Sequence, residues 1–253
     1  MRQSTAEILR RRWPELGLIG AAHLLAQILT YGVIAGLLVP LLLGYQSLSG
    51  GMRAPRLDGG SRELVALVAG AAGLAGVAVV PILLAATAFM LAGLLGAAAR
   101  LYRGEPVGFL AFWTAGALGF WRALGVVLPF ALGAVGMLVL LVLLLGPWGA
   151  LLWGLLAIPA GLYGLLYPVY LATVKRLGTL QAFGHCGRAL VRDPGEAALA
   201  SLLVVGFALG YAVVLGVLLR LGFLGHVGFG FVQLLAVPGF TLLLVGRVER
   251  SGG

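Results

Sequence analysis

Between Arg122 and Lys175 the chain carries no charged residue, and between Glu63 and Arg100 it carries none either. Uncharged apolar runs of that length restrict the fold more than any motif in the sequence. A helix needs about 20 apolar residues to cross a hydrocarbon core of ~30 Å. Inside lipid the backbone must also satisfy its own N–H and C=O groups, which leaves α-helices or closed barrels. Barrel strands would read as segments of about ten residues with alternating polarity, and these runs do not alternate. The chain therefore reads as all-α, a polytopic membrane protein. Its composition agrees: 10% of residues are charged and 61% are hydrophobic, against about 25% charged in a soluble domain.

Six transmembrane helices are expected at about 18–43, 64–98, 123–145, 150–173, 197–219 and 226–246, within a single membrane domain spanning 1–253. None of the 17 basic or 8 acidic residues falls inside them, as the insertion cost of about 2.5–3.5 kcal/mol for a central arginine demands. The first run is too long for a signal-peptide core and lacks an A-x-A-like site after it, so it reads as a retained span. Gly44–Arg62 reads as a Gly/Ser-rich loop, and Arg247–Gly253 as a tail. The second run would extend about 52 Å as one helix. Two readings compete: one helix kinked near Pro81 with its end in the cytosol, or two short crossings hinged there. Charge decides. With one helix, thirteen of the 17 Lys and Arg fall on the side of the N-terminus, and only Arg53, Arg56, Arg62 and Arg220 fall opposite. This is a strong positive-inside pattern with both termini cytosolic. Splitting the run would send the Arg100–Arg122 and Lys175–Arg192 groups outside and lose that pattern.

Two further segments read as interfacial amphipathic helices, at about 105–120 and 179–192. In the second, Leu180, Phe183, Gly187, Leu190 and Val191 share one face, and Gln181, His185, Arg188 and Arg192 the opposite one. Thr179 is the expected N-cap and Asp193-Pro194-Gly195 the expected stop. In the first, Phe109, Phe112, Trp113, Gly116 and Phe120 share a face. The two segments hint at a parallel internal repeat: Arg103 and Arg176 stand 73 residues apart, and Phe109–Phe112 loosely echoes Leu180–Phe183. Gly32/Gly36 and Gly206/Gly210 are spaced for close helix approach.

The order of spans, the glycine content and the segment LGTLQAFGHCGRALVRDPGEAAL resemble a loose group of bacterial integral membrane proteins. The group includes the YciC-like proteins and the membrane domain fused to some glycerophosphodiester phosphodiesterases. The resemblance covers about Phe89–Leu219 and implies a bacterial cytoplasmic membrane location. It implies no activity, and no phosphodiesterase domain accompanies it.

Chemistry is sparse. His23, Gln27 and Gln233 are polar residues within spans and mark a conceivable substrate path, although such residues more often form interhelical hydrogen bonds. His185, Arg188 and Arg192 form a cationic stripe suited to a phospholipid headgroup or an acidic partner. The three histidines are well separated, and the single cysteine, Cys186, supports neither a disulfide nor a metal cluster. The spans hold no carboxylate to serve as an acid, base or nucleophile, and a Ser201–His226 pairing has nothing behind it. No cofactor and no nucleic-acid partner are expected. The reading is a non-enzymatic membrane subunit, scaffold or lipid-associated factor. Its expected partners are a bilayer with anionic cytosolic headgroups and a second membrane protein. The alternative is a permease for a small or lipid-like solute with its path near span 1.

Overall fold

The computed structural model describes residues 5–49, 61–220 and 222–251, which are helical with no strand. In order they form α1 (Thr5–Arg11), α2 (Trp13–Ser49), α3 (Ser61–Tyr102), α4 (Phe109–Leu145), α5 (Pro147–Gly161), a π-helical turn (Leu162–Leu166), α6 (Tyr167–Thr173), α7 (Thr179–Arg192), α8 (Pro194–Leu219) and α9 (Gly222–Ser251). Among the described residues, five helical stretches are long and apolar enough to cross a membrane: Trp13–Val39, Val79–Tyr102, Phe109–Leu145, Pro194–Leu218 and Val232–Glu249. Between Pro147 and Thr173 the helical path is unbroken, because Gly161, Leu166 and Tyr167 keep right-handed helical angles on either side of the π turn.

Several expected boundaries move. The run containing Pro81 is one helix, α3, in line with the unsplit reading. The loop expected from Gly44 is shorter, since α2 continues to Ser49 and α3 opens at Ser61; its middle, with Arg53 and Arg56, lies outside the described residues. The tail expected from Arg247 continues α9 to Ser251. The largest change concerns the segment expected at 105–120. It is not a separate helix: it joins the span expected at 123–145 in the single 37-residue α4.

By contact density the chain divides into two compact units, Met1–Leu24 with Thr87–Gly253, and Leu25–Ala86. In the smaller one, Thr30 Oγ1 donates to its own helix at Ala26 O, 2.8 Å away. The larger unit holds the core. Its buried side chains gather near one set of helix ends: Ile8 and Ile19, Leu101, Phe112, Val126, Tyr170, Leu242 and Val245. Away from those ends, α4, α5 and α8 present Leu132, Leu143, Leu144, Leu151, Leu202 and Val213 outward. In water such a surface would drive association; against lipid it is the expected exterior.

Small residues build the α3–α4 hairpin. A Cβ placed on Gly96 would lie 2.7 Å from Ala115 Cβ, and one on Gly116 would lie 2.8 Å from the Phe89 ring. Gly93 meets Phe112 and Gly119 meets Ala92 in the same way. These contacts lie within the last turns of α3 and the first turns of α4, which the 103–108 turn joins. Three aromatic rings lock it: Phe89 stands edge-on to Phe112 at 6.0 Å, and Trp113 lies 5.6 Å from both. The glycines that spacing alone selects do otherwise. Gly206 and Gly210 have open space where a Cβ would point, as do Gly32 and Gly36, among the described residues. A G-x-x-x-G pair permits close approach but does not supply the neighbour.

Candidate functional site

The polar chemistry of the larger unit collects where its helix ends meet. Arg12 carries most of it. Its Nε donates to Glu15 Oε1 at 2.7 Å, and its Nη1 donates to the Leu101 carbonyl at 3.1 Å. Another donor of the same guanidinium reaches the Glu105 carbonyl. The Leu101 carbonyl belongs to the last turn of α3, which has no intrahelical donor of its own, so Arg12 caps that helix from a distant part of the chain. Glu15 accepts from Val107 N at 2.9 Å, and Arg100 pairs with Glu105 at 2.9 Å. The loop between α3 and α4 is thereby tied to the start of α2. Gly104, at φ 80°, makes the turn: Glu105 N bonds Arg100 O and Gly104 N bonds Leu101 O, the pattern of a glycine-terminated helix.

A second knot holds the C-terminal helix. Glu249 pairs with Lys175 at 2.8 Å, lies 4.0 Å from Arg103, and accepts a hydrogen bond from Tyr170. Two residues earlier, Arg247 pairs with Glu196 at the start of α8. Arg122 donates to the Ala172 carbonyl near the end of α6, 3.4 Å away. Exposed ion pairs contribute only about 0–1 kcal/mol each. Their effect here is register: they join the N-terminal segment, the 100–105 turn, the 175 turn, the start of α8 and the end of α9.

Charge is divided unevenly by this arrangement. Glu7, Glu15, Glu105, Asp193, Glu196 and Glu249 all bond to a cation or cap a helix. Arg176, His185, Arg188 and Arg192 form no ion pair among the described residues. These four share α7 and the turn that leads into it. Arg176 holds a left-handed backbone angle, φ 59°, which costs a side-chain-bearing residue roughly 1–2 kcal/mol.

The helix expected over 179–192 is present as α7, with one difference at its start. Gly178, in extended conformation, is the N-cap; its N–H is accepted by Gln181 Oε1 at 3.2 Å. Thr179 instead places its hydroxyl against Gly125 of α4. At the other end Asp193 caps α8, its Oδ1 accepting from Glu196 N at 3.0 Å. Around the axis α7 has three sides. Ala182 and Cys186 face the protein and are buried. Leu180 and Val191 face outward, 86% and 83% exposed. His185, Arg188 and Arg192 occupy the remaining side, also exposed. The apolar face read from the sequence is therefore mostly uncovered, and small residues beside it make the protein contact. Cys186 lies 4% exposed. Burial pushes its thiol up to about 12, so this thiol is not the accessible handle that its place on a cationic helix suggests.

The three polar residues of the expected path engage different neighbours. His23 is buried with its ring edge-on to Phe112, centroids 6.0 Å apart. Gln233 donates to the Tyr211 hydroxyl of α8 at 2.7 Å. Gln27 belongs to the smaller unit. Ser201 donates to its own helix at Ala197 O, and the His226 side chain lies outside the described residues. A crevice between the π turn, α6 and α9, lined by Leu166, Tyr167, Tyr170, Leu244 and Val245, is apolar and admits about one water. Sequence reading missed Glu249 and Arg12 as organising residues. Their partners lie far along the chain, and no local spacing announces them.

Comparison of the chain with family models, curated proteins and solved structures returned no match.

Proposed function

We propose that the protein is a non-enzymatic, six-span membrane subunit or scaffold with a lipid-associated cytosolic face, resembling the YciC-like group in the order of its spans. The unbroken helical path from Pro147 to Thr173 serves as the fourth span; at 1.5 Å per residue it extends roughly 40 Å, enough for a ~30 Å core. Both termini lie in the cytosol of a bacterium, and the membrane is its cytoplasmic one.

One observation carries the reading. The segments that the positive-inside pattern assigns to the cytosol are those whose ion pairs meet: Arg12 and Glu15, Arg100 to Glu105, Lys175, Glu196, and Arg247 to Glu249. Their charged groups hold helix ends in register, which is the work of a framework. The permease alternative has less support, because His23 and Gln233 are engaged by separate helices.

The test has two parts. In a Cys186→Ala background, a cysteine at Arg220 should react with a membrane-impermeant maleimide in sealed cells, and one at Arg192 only after the cells are opened. The reverse pattern would overturn the topology. Native mass spectrometry of the gently extracted protein should then find a stoichiometric second polypeptide. A lone chain carrying one defined small solute would replace the scaffold with a carrier.

A further inference from the structure

We infer that α7 is a dedicated contact for anionic phospholipid, lying in the cytosolic monolayer with its arginines among the headgroup phosphates. The inference rests on the cytosolic placement proposed above and adds the partner's chemistry.

Three observations converge on it. The first is the distribution of charge: the acidic side chains described above are occupied, and of the arginines in no ion pair among the described residues Arg176, Arg188 and Arg192 lie together at α7, with His185 beside them, whereas Arg10, Arg122 and Arg220 lie elsewhere. A surface with that imbalance is complementary to an anionic one. The second is the sidedness of α7. A helix packed in a protein groove buries its large apolar side chains, yet α7 buries Ala182 and Cys186 and leaves Leu180 and Val191 open. Between that open apolar side and the cationic side there is no acidic residue from Thr179 to Arg192. This is the cross-section of a helix lying at a lipid–water boundary. The third is depth. Past the break at Asp193, α8 turns Leu199, Leu202 and Leu203 outward. Acyl chains that cover these leucines end near the C-terminus of α7, which sets Arg192 level with phosphates.

The pairing of an open apolar side with a cationic side along one short helix is the pattern of an interfacial helix, and an acidic protein is the competing outcome of the test. A lipid monolayer supplies an apolar and an anionic layer side by side.

The test uses the full chain in bilayers of phosphatidylcholine containing about one-fifth phosphatidylglycerol, with lipid preference read from spin-labelled lipid association. The variant Arg176→Gln/Arg188→Gln/Arg192→Gln should lose preference for phosphatidylglycerol by about fivefold or more, the factor that one arginine carries near an anionic surface. The triple lysine variant should keep it, and Arg220→Gln should leave it unchanged. An unaltered preference in the glutamine variant, or equal losses in the lysine and glutamine variants, would overturn the inference. Retained lipid preference with loss of a co-purified acidic polypeptide would reassign the face to protein. Maleimide labelling separates the two levels: an outward α7 sinks the topology, whereas an inward α7 without lipid preference sinks this inference alone.

Discussion

The first half of α4 and the whole of α7 begin from similar sequences and end differently. Each follows a cationic turn, each opens after an extended glycine, Gly108 or Gly178, and each repeats apolar residues at helical spacing. When Phe109–Phe112 is aligned with Leu180–Phe183, Gly116 corresponds to Gly187, and Arg122-Ala123 to Asp193-Pro194. In α4 the apolar face packs against α3: Phe112 is fully buried, and Gly116 lies under Phe89. In α7 the corresponding face is largely open, and Gly187 has nothing near it. Past the alignment, Ala123 lets α4 run on to Leu145, whereas Pro194 drives Asp193 out of the helical region, to φ −138° and ψ 76°, and a new helix starts. Periodicity thus identifies an apolar face without saying what covers it. The cover depends on whether a helix with small residues in the right places is near, as α3 is for α4.

The sharpest way to probe this contrast is the thiol of Cys186, on the one side of α7 that does pack. At neutral pH its thiolate fraction should be about a thousandfold below that of an exposed cysteine, so an Arg192→Cys thiol should react with maleimide far faster, as competitive labelling would measure. The folded state disfavours the thiolate. Stability linked to this group is therefore intact below the ordinary thiol value near 9 and declines as pH rises from there towards about 12. Fast neutral labelling of Cys186 would mean that α7 does not dock through Ala182 and Cys186.

Next in size is the glycine pair. Gly116→Leu drives a branched side chain into Phe89 and should cost about 2–3 kcal/mol, lowering the melting temperature in detergent by about 5 °C or more. Gly187→Leu meets open space and should lie within about 0.5 kcal/mol of the parent. Equal costs would erase the distinction between the two helices. The smallest effect belongs to the helix break. Replacing Asp193-Pro194 by the Arg-Ala of α4 removes the cap of α8, for about 1 kcal/mol, and lets α7 and α8 fuse. Spin labels at Leu180 and Leu202 should then report a longer mean separation, and an unchanged one would show that packing rather than Pro194 holds the bend.

Much of this protein was legible in the order of its residues. Uncharged runs name the helices because lipid offers the backbone no other partner, and the extent of α7 follows from Asp193-Pro194, whose preferences are local. The thirteen-to-four division of Lys and Arg proposes an orientation, which the maleimide labelling tests, since it depends only on which charges neighbour which span. Tertiary structure alone decided the rest. It covered the apolar face of the 109–120 segment, because Gly93, Gly96, Gly116 and Gly119 let α3 and α4 meet at contact distance. It also chose which glycines pack, leaving Gly206 and Gly210 open. Finally, it paired Arg12 with Leu101 and Glu105, and Glu249 with Tyr170 and Lys175. Those contacts join residues tens of positions apart, so no local pattern encodes them, and they fix which cations remain for a partner.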